Sequence, residues 1–389
     1  MSNPATLQQH MLVERQTSRR FRKLTTTTPL SGMQILRDGQ TLVNFSSNDY
    51  LGISQHPLLK ERSAEWLEKY GTGCGASRLV TGNYDIFDQV EEKLARLKGT
   101  ETALIMGAGF QTNLSLLSAV ASEKSFVCCD RLSHNSLLQG AVLSQSRWTR
   151  FHHNDILDAQ KRLSSAASLN AESRWLVSES VFSMDGDVAD IDRLMKTAKQ
   201  HNAQLLIDDA HGTGVLGANG MGLTSLKPEI DLIVGTFGKA LGSYGSYVAC
   251  SKQMRDFLIN FCGGLIYSTA LPPPILGAID AALDLVPTLD AERKRLSSNS
   301  SMIRNELQDL GFSTLNSSTQ IIPVVTGSED SAMQLSQHLE QLGILALPIR
   351  PPTVPDNTAR IRLSISAAHT DQQLESLVSA LKAWGQVKR

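Results

Sequence analysis

From about residue 85 the chain alternates short apolar runs with amphipathic stretches, and this alternation limits what it can fold into more than any other feature. The pattern predicts a helix over Asp85–Leu97, a strand over Thr102–Met106, a glycine turn and a helix over Asn113–Val120. A strand at Ser125–Asp130 then precedes a helix at Asn135–Ala141. A strand at Arg174–Glu179 precedes a helix at Ile191–Gln200, and buried runs follow at Leu205–Asp208 and Ile230–Val234. Repeated strand–helix units bury strands on both faces, so the expected fold is α/β, a mainly parallel, mixed sheet covered by helices. Ligands of such sheets bind beyond the carboxyl ends of the strands.

At 389 residues the chain exceeds one ordinary core. The expected division is an N-terminal arm (1–45), a large domain (46–285) and a smaller C-terminal α+β domain (286–389). In the arm, Leu12, Arg15, Arg19, Arg20, Phe21, Arg22 and Lys23 suggest a basic helical stretch that the β-branched run Thr25–Thr28 breaks. Such a stretch is either a solvated helix face or an arm reaching an anionic substrate. After Pro272-Pro273-Pro274 a helical pattern extends to about Leu310. A strand at Gln320–Thr326, a helix at Ser331–Leu342 and strands at Ile344–Leu347 and Arg360–Ser366 follow. Thr370 with Gln373 three residues on reads as a capping box, and Leu374, Leu377, Val378, Leu381 and Trp384 form a core stripe behind it.

Charge and cysteine usage exclude several classes. The 37 basic and 38 acidic residues leave a net charge of −1, against general binding of nucleic acid or anionic membrane. Cys74, Cys128, Cys129, Cys250 and Cys262 show no metal-ligand spacing and are too few for a disulfide framework, so no metal is expected. Neither a signal-peptide core nor an apolar run long enough to span a bilayer is present, and the expected location is the cytoplasm.

Three stretches carry the chemistry. Gly107-Ala108-Gly109-Phe110 joins a strand to a helix, where unpaired N–H groups and the positive end of the helix dipole suit a phosphate, although glycine turns before helices are common. Asp208, Asp209 and His211 end a buried strand, a position that serves equally for solvent exposure or for pairing a ring nitrogen. Lys239, in Gly235-Thr236-Phe237-Gly238-Lys239, follows another buried strand with small neighbours that leave its amine accessible. A phosphate cradle, a strand-end carboxylate and a later lysine together suit pyridoxal 5'-phosphate (PLP). A carboxylate that keeps the pyridine nitrogen protonated makes the ring an electron sink, and a lysine can hold the aldehyde as a Schiff base. His134, in a loop after a strand, could lie on the ring, and Ser183 lies beyond another strand end; each could equally be structural. Gly212-Thr213-Gly214-Val215-Leu216-Gly217 matches the spacing of a dinucleotide-binding turn, but two carboxylates precede it and more glycine loop follows, which disfavours a nicotinamide enzyme.

With these residues in place, the chain resembles the α-oxoamine synthases of the fold-type I PLP-dependent enzymes, from about residue 15 to 385. The blocks Asn44–Gly52, Asp130–His134, Val181–Asp187, Asp208–Gly214 and Thr236–Lys239 stand in that family's order. The loop Ile349-Arg350-Pro351-Pro352-Thr353-Val354-Pro355 is similar to that of the family's biotin-pathway branch. The resemblance implies PLP as cofactor, with Lys239 as the Schiff-base lysine and Asp208 pairing the pyridine nitrogen. It places His134 on the ring and His211 and Ser183 at the phenolic oxygen. Gly109, Phe110 and Thr236 would hold the cofactor, and Thr269 would reach the phosphate of a neighbouring subunit in a homodimer. Arg22 and Thr353 would contact substrate, and Arg362, with Asn48, the amino-acid carboxylate. The implied reaction is decarboxylative condensation of L-alanine with a pimeloyl thioester, carried by CoA or by an acyl carrier protein. The closest rival reaction within the family joins glycine to acetyl-CoA.

Overall fold

The computed structural model describes residues 4–387, which form two compact units. One comprises Asn48–Ser183 and Asp187–Lys294. The other comprises the described residues of Met1–Ser47 and Arg295–Arg389, with Met184–Gly186. The boundaries therefore differ from the expected ones. Residues 4–47 do not stand apart as an arm, because the Gln40–Asn44 strand pairs in parallel with Ile344–Leu345 and so joins the C-terminal unit.

The larger unit is built on a seven-stranded sheet. In spatial order its strands are Thr102–Met106, Ser246–Cys250, Leu232–Thr236, Gln204–Asp208, Ser173–Glu179, Ser125–Asp130 and Arg147–Phe151. The last five run parallel, and Ser246–Cys250 is antiparallel to both of its neighbours. Central strands such as Ser125–Asp130 are buried along their whole length, as a sheet covered on both faces requires. Leu104, Val127, Val177, Leu206, Val234 and Val248 meet the helix residues Leu116, Leu137 and Leu258 in one apolar cluster. Two strands went unforeseen. Arg147–Phe151 lies at the sheet edge with only Phe151 buried, so it shows no apolar run. Ser246–Cys250 follows a glycine- and serine-rich turn that masks its start. The helix expected at Asn113 starts at Gly109, and Ala108 accepts the amide of Thr112. The helix Asp85–Lys98 ends on Gly99 in the left-handed region (φ 72°).

The smaller unit holds a four-stranded sheet (Thr28–Pro29, Gln34–Arg37, Gln40–Asn44, Ile344–Leu345) and a three-stranded antiparallel one (Ile321–Gly327, Ala359–Ser364, Pro348–Ile349). The expected basic helix through Lys23 is corrected: the helix is Pro4–Thr17. Thr17 and Ser18 turn their hydroxyls back onto the carbonyls of Val13 and Glu14, and Arg19 has φ 57°, which ends the helical path. The capping box at the last helix is present. Gln373 N donates to Thr370 Oγ1 (3.2 Å) and Thr370 N donates to Gln373 Oε1 (3.0 Å). Leu374, Leu377 and Leu381 are buried behind it. No described helix is long and apolar enough to cross a membrane.

Candidate active site

Five strands of the larger unit that run in one sense end at one rim, and residues at or just beyond their ends line a cavity of about 210 Å³. Gly109, Phe110, His134, Asp208, His211, Thr236 and Lys239 all contribute to its wall. Residues read from separate stretches are thus brought together by strand order. Asp208 and Glu179 are register partners at the ends of adjacent strands. Neither Asp208 nor Asp209 is a solvent-exposed strand end; both are buried.

Asp208 is held on both oxygens: Ala210 N donates to Oδ1 (3.0 Å) and Asn113 Nδ2 to Oδ2 (2.7 Å). Behind it lies a fully buried ion pair. Lys98 Nζ is 3.2 Å from Asp209 Oδ2 and also donates to Met221 O and Thr224 Oγ1. Ser180 and Thr224 donate their hydroxyls to Asp209 as well, each at 2.5 Å. This network fixes the chain immediately after Asp208. It also explains Gly212 and the nearby Gly222; the run Gly212–Gly217 is loop rather than the opening of a helix. A Cβ at Gly212 or Gly222 would collide with the Asp209 carboxylate, at 2.2 and 2.0 Å.

His134 caps the Asn135–Leu143 helix, its Nδ1 accepting from Ser136 N (3.3 Å). Phe110 meets its ring edge-to-face at 6.2 Å. Burial holds its pKa below the ordinary histidine value; Lys239 lowers it further, and Asp208 opposes this. Glu179 Oε1 accepts from His134 N at 2.5 Å. Burial, reinforced by Asp208, drives the Glu179 carboxyl far above the usual carboxylate range, with Lys239 and the His134 amide opposing. Beside His211, Tyr50 is fully buried, donating to Asn48 Oδ1 (3.0 Å) and lying 2.7 Å from His211 Nδ1. Asn48 therefore reaches His211 through one phenol.

Asn113, Ser136, Glu179 and Tyr50 were not singled out in the sequence. Glu179 alone left a trace there, as a charged residue ending a buried strand.

The remaining expected residues lie outside this cavity. Ser183 is buried at the end of its segment, and Thr269 is exposed, in an antiparallel bridge with Ser77. In the smaller unit, Arg22 donates to Thr353 Oγ1 (3.2 Å) beside a cavity of about 90 Å³. Its neighbours Arg19 and Arg20 are engaged by carboxylates, Asp330 for the first and Glu329 and Asp356 for the second. Arg362 is buried on the Ala359–Ser364 strand and donates to Ser364 Oγ (2.8 Å).

The larger cavity suits a phosphorylated pyridine. Ala108 gives the Gly109–Val120 helix no side-chain cap, so its first amides remain for an anion. A Cβ built on Gly109 meets nothing within 4 Å, so the backbone there faces open space. Asn113 Oδ1, in the wall beside Asp208, is buried without a hydrogen-bond partner, the sort of orphan that a polar ligand relieves.

Comparison with known proteins agrees. Residues 40–381 match the family model described as aminotransferase class I and II, and the chain belongs to that family of PLP-dependent enzymes. Within it the chain is a PLP-dependent acyltransferase of the α-oxoamine synthase kind. It is 48% identical over 355 residues to the 8-amino-7-oxononanoate synthase of Gluconacetobacter diazotrophicus, covering 90% of this chain and 89% of that one. A Desulfosudis oleivorans relative that carries a provisional form of the same name is 50% identical over 373 residues, 96% of this chain and 97% of the other. Among solved structures, a serine palmitoyltransferase variant from S. paucimobilis with bound PLP–myriocin aldimine superposes with a TM-score of 0.93 at 27% identity over 99% of both chains.

Proposed function

We propose that this chain condenses L-alanine with a pimeloyl thioester to give 8-amino-7-oxononanoate, carbon dioxide and the free thiol carrier, a step of biotin synthesis. The observation that carries this reading is the convergence of Asp208, His134, His211 and Lys239 on one cavity, in a chain about half identical to relatives named for this activity. PLP held there would supply an electron sink for charge developing at the amino-acid α-carbon.

The chain's residues divide the work. Amides of Gly109 and Phe110 bind the phosphate and Thr236 lines the same cavity beside the cofactor, with Thr269 serving a partner subunit's site in a homodimer. Asp208 keeps a proton on the ring nitrogen. His134 lies against one ring face and His211 hydrogen-bonds the phenolic oxygen, with Ser183, buried beyond the neighbouring strand end, assigned to the same side of the ring by the family resemblance. Lys239 holds the aldehyde carbon at rest. Once displaced by the substrate amine, the Lys239 amine is the base for the α-proton, a task that requires its neutral form. Arg362 and Asn48 take the amino-acid carboxylate, fixing which α-carbon bond breaks. Arg22 and Thr353 take the acyl donor. The five buried free cysteines suit the reducing cytoplasm.

A donor–acceptor matrix tests the reading: alanine or glycine with pimeloyl or acetyl thioesters, on CoA and on acyl carrier protein, the products identified by mass. Alanine with a pimeloyl donor is the expected productive pair. Preference for glycine and acetyl-CoA would overturn it.

A further inference from the structure

The stacking histidine and the strand-end carboxylate are joined by a hydrogen-bond chain whose direction can be worked out by counting donors. Asn113 Nδ2 has two hydrogens and two acceptors, Asp208 Oδ2 at 2.7 Å and Ser136 Oγ at 3.0 Å. Reversing the amide would set its oxygen against the carboxylate, so Asp208 dictates the orientation. Ser136 Oγ accepts from Asn113 and lies 2.7 Å from His134 Nδ1, and its one hydrogen goes to that nitrogen because the Ser136 backbone amide already makes Nδ1 an acceptor. Ser136 N also donates to that nitrogen, at 3.3 Å. Two donors aimed at Nδ1 require it to be unprotonated, which leaves the ring proton on Nε2. Asn113 and Ser136 are buried at 2% and 0% exposure, so water does not compete for these bonds.

We propose that Asn113 and Ser136 are positioning residues that lock Asp208 and His134 together, holding His134 neutral with its proton on Nε2. The inference rests on the PLP reading given above. Its chemical sense is electrostatic. An imidazolium on the ring face would oppose the positive charge that Asp208 maintains at the ring nitrogen, and the relay withholds that charge. The ionisable groups facing His134 are Asp208, Glu179 and Lys239, and the relay sets the ring's state among them.

The test uses the full chain loaded with PLP and selectively labelled with 15N-histidine, the His134 signals being assigned from their loss in His134→Asn. At pH 7 the wild type is expected to show Nδ1 unprotonated and Nε2 protonated. Ser136→Ala is expected to mix the tautomers and to add an ionisation between pH 6 and 8 to the titration of the visible cofactor band; Ser136→Thr, which keeps the hydroxyl, removes it again. Asn113→Ala is expected to release PLP about tenfold faster, the size of one hydrogen bond to a charged group. A wild-type His134 protonated on Nδ1 overturns the proposal. So do Ser136→Ala and Asn113→Ala proteins with unchanged tautomer and PLP release. A wild-type chain that takes up no PLP rejects the functional reading instead, while the tautomer measurement on the same full chain still judges the relay.

Discussion

Two histidines show how opposite surroundings set opposite charge. His153 lies between carboxylates, Nδ1 3.0 Å from Asp130 and Nε2 2.7 Å from Asp187, in a T-shaped contact with Phe182. Burial opposes its charge, but the two carboxylates prevail and raise its pKa to about 10. His369 is stacked on Phe45 at 4.1 Å, and burial drops its pKa to about 4. Relative to an ordinary value of about 6.5, linkage gives opposite signs. The His153 contribution to stability is whole below pH 6.5 and is lost as pH rises toward 10. The His369 contribution is whole above pH 6.5 and is lost as pH falls toward 4. Urea unfolding of His153→Gln should therefore differ most from wild type near pH 6 and least near pH 10, and His369→Gln should converge on wild type toward pH 4. A pH-independent difference for either would reject the assignment. At Lys98 the expectation concerns charge left behind. Lys98→Met strands Asp209 at 0% exposure and should cost about 3–5 kcal/mol in denaturant unfolding, whereas a cost below about 1 kcal/mol, the size of an exposed pair, would mean the pair is dispensable.

Helix ends and strand ends were the most legible elements, because their chemistry is local. Thr370 and Gln373 sit three residues apart and cap reciprocally as their spacing predicts. Thr370→Ala should lower stability by about 1 kcal/mol, read as a shift in the urea midpoint at unchanged m-value; no shift would show that the box is redundant. The strands at Thr102–Met106 and Ser125–Asp130 have the predicted bounds, since continuous apolar runs between turns admit little else. The helix beyond Thr17 was misread because repeated arginines and lysines are compatible with a helix but do not require one, and the side-chain bonds of Thr17 and Ser18 decide the matter. The Arg147–Phe151 strand, with an arginine on each face and only Phe151 buried, looks like loop until its partner is known.

At the scale of the whole molecule, residues that line the cavity follow strand ends and could be read one stretch at a time. Residues that hold those residues could not. Asn113 matters because of Asp208, 95 positions away, and Tyr50 because of His211, 161 positions away; no local pattern encodes such pairs. The same limit hides the assembly, since Thr269 is exposed in the single chain and its proposed role needs a second copy. Sedimentation equilibrium of the PLP-loaded protein should give twice 42.4 kDa, and a fully active monomer would remove Thr269 from the site.

The antiparallel Ser246–Cys250 strand has a bearing on biosynthesis. The Thr102–Met106 strand pairs with it and with no other described strand, so a segment made early waits for one that leaves the ribosome about 140 residues later. At translation rates of about 5–20 residues per second, its inner edge waits roughly 7–28 seconds for the strand that pairs with it.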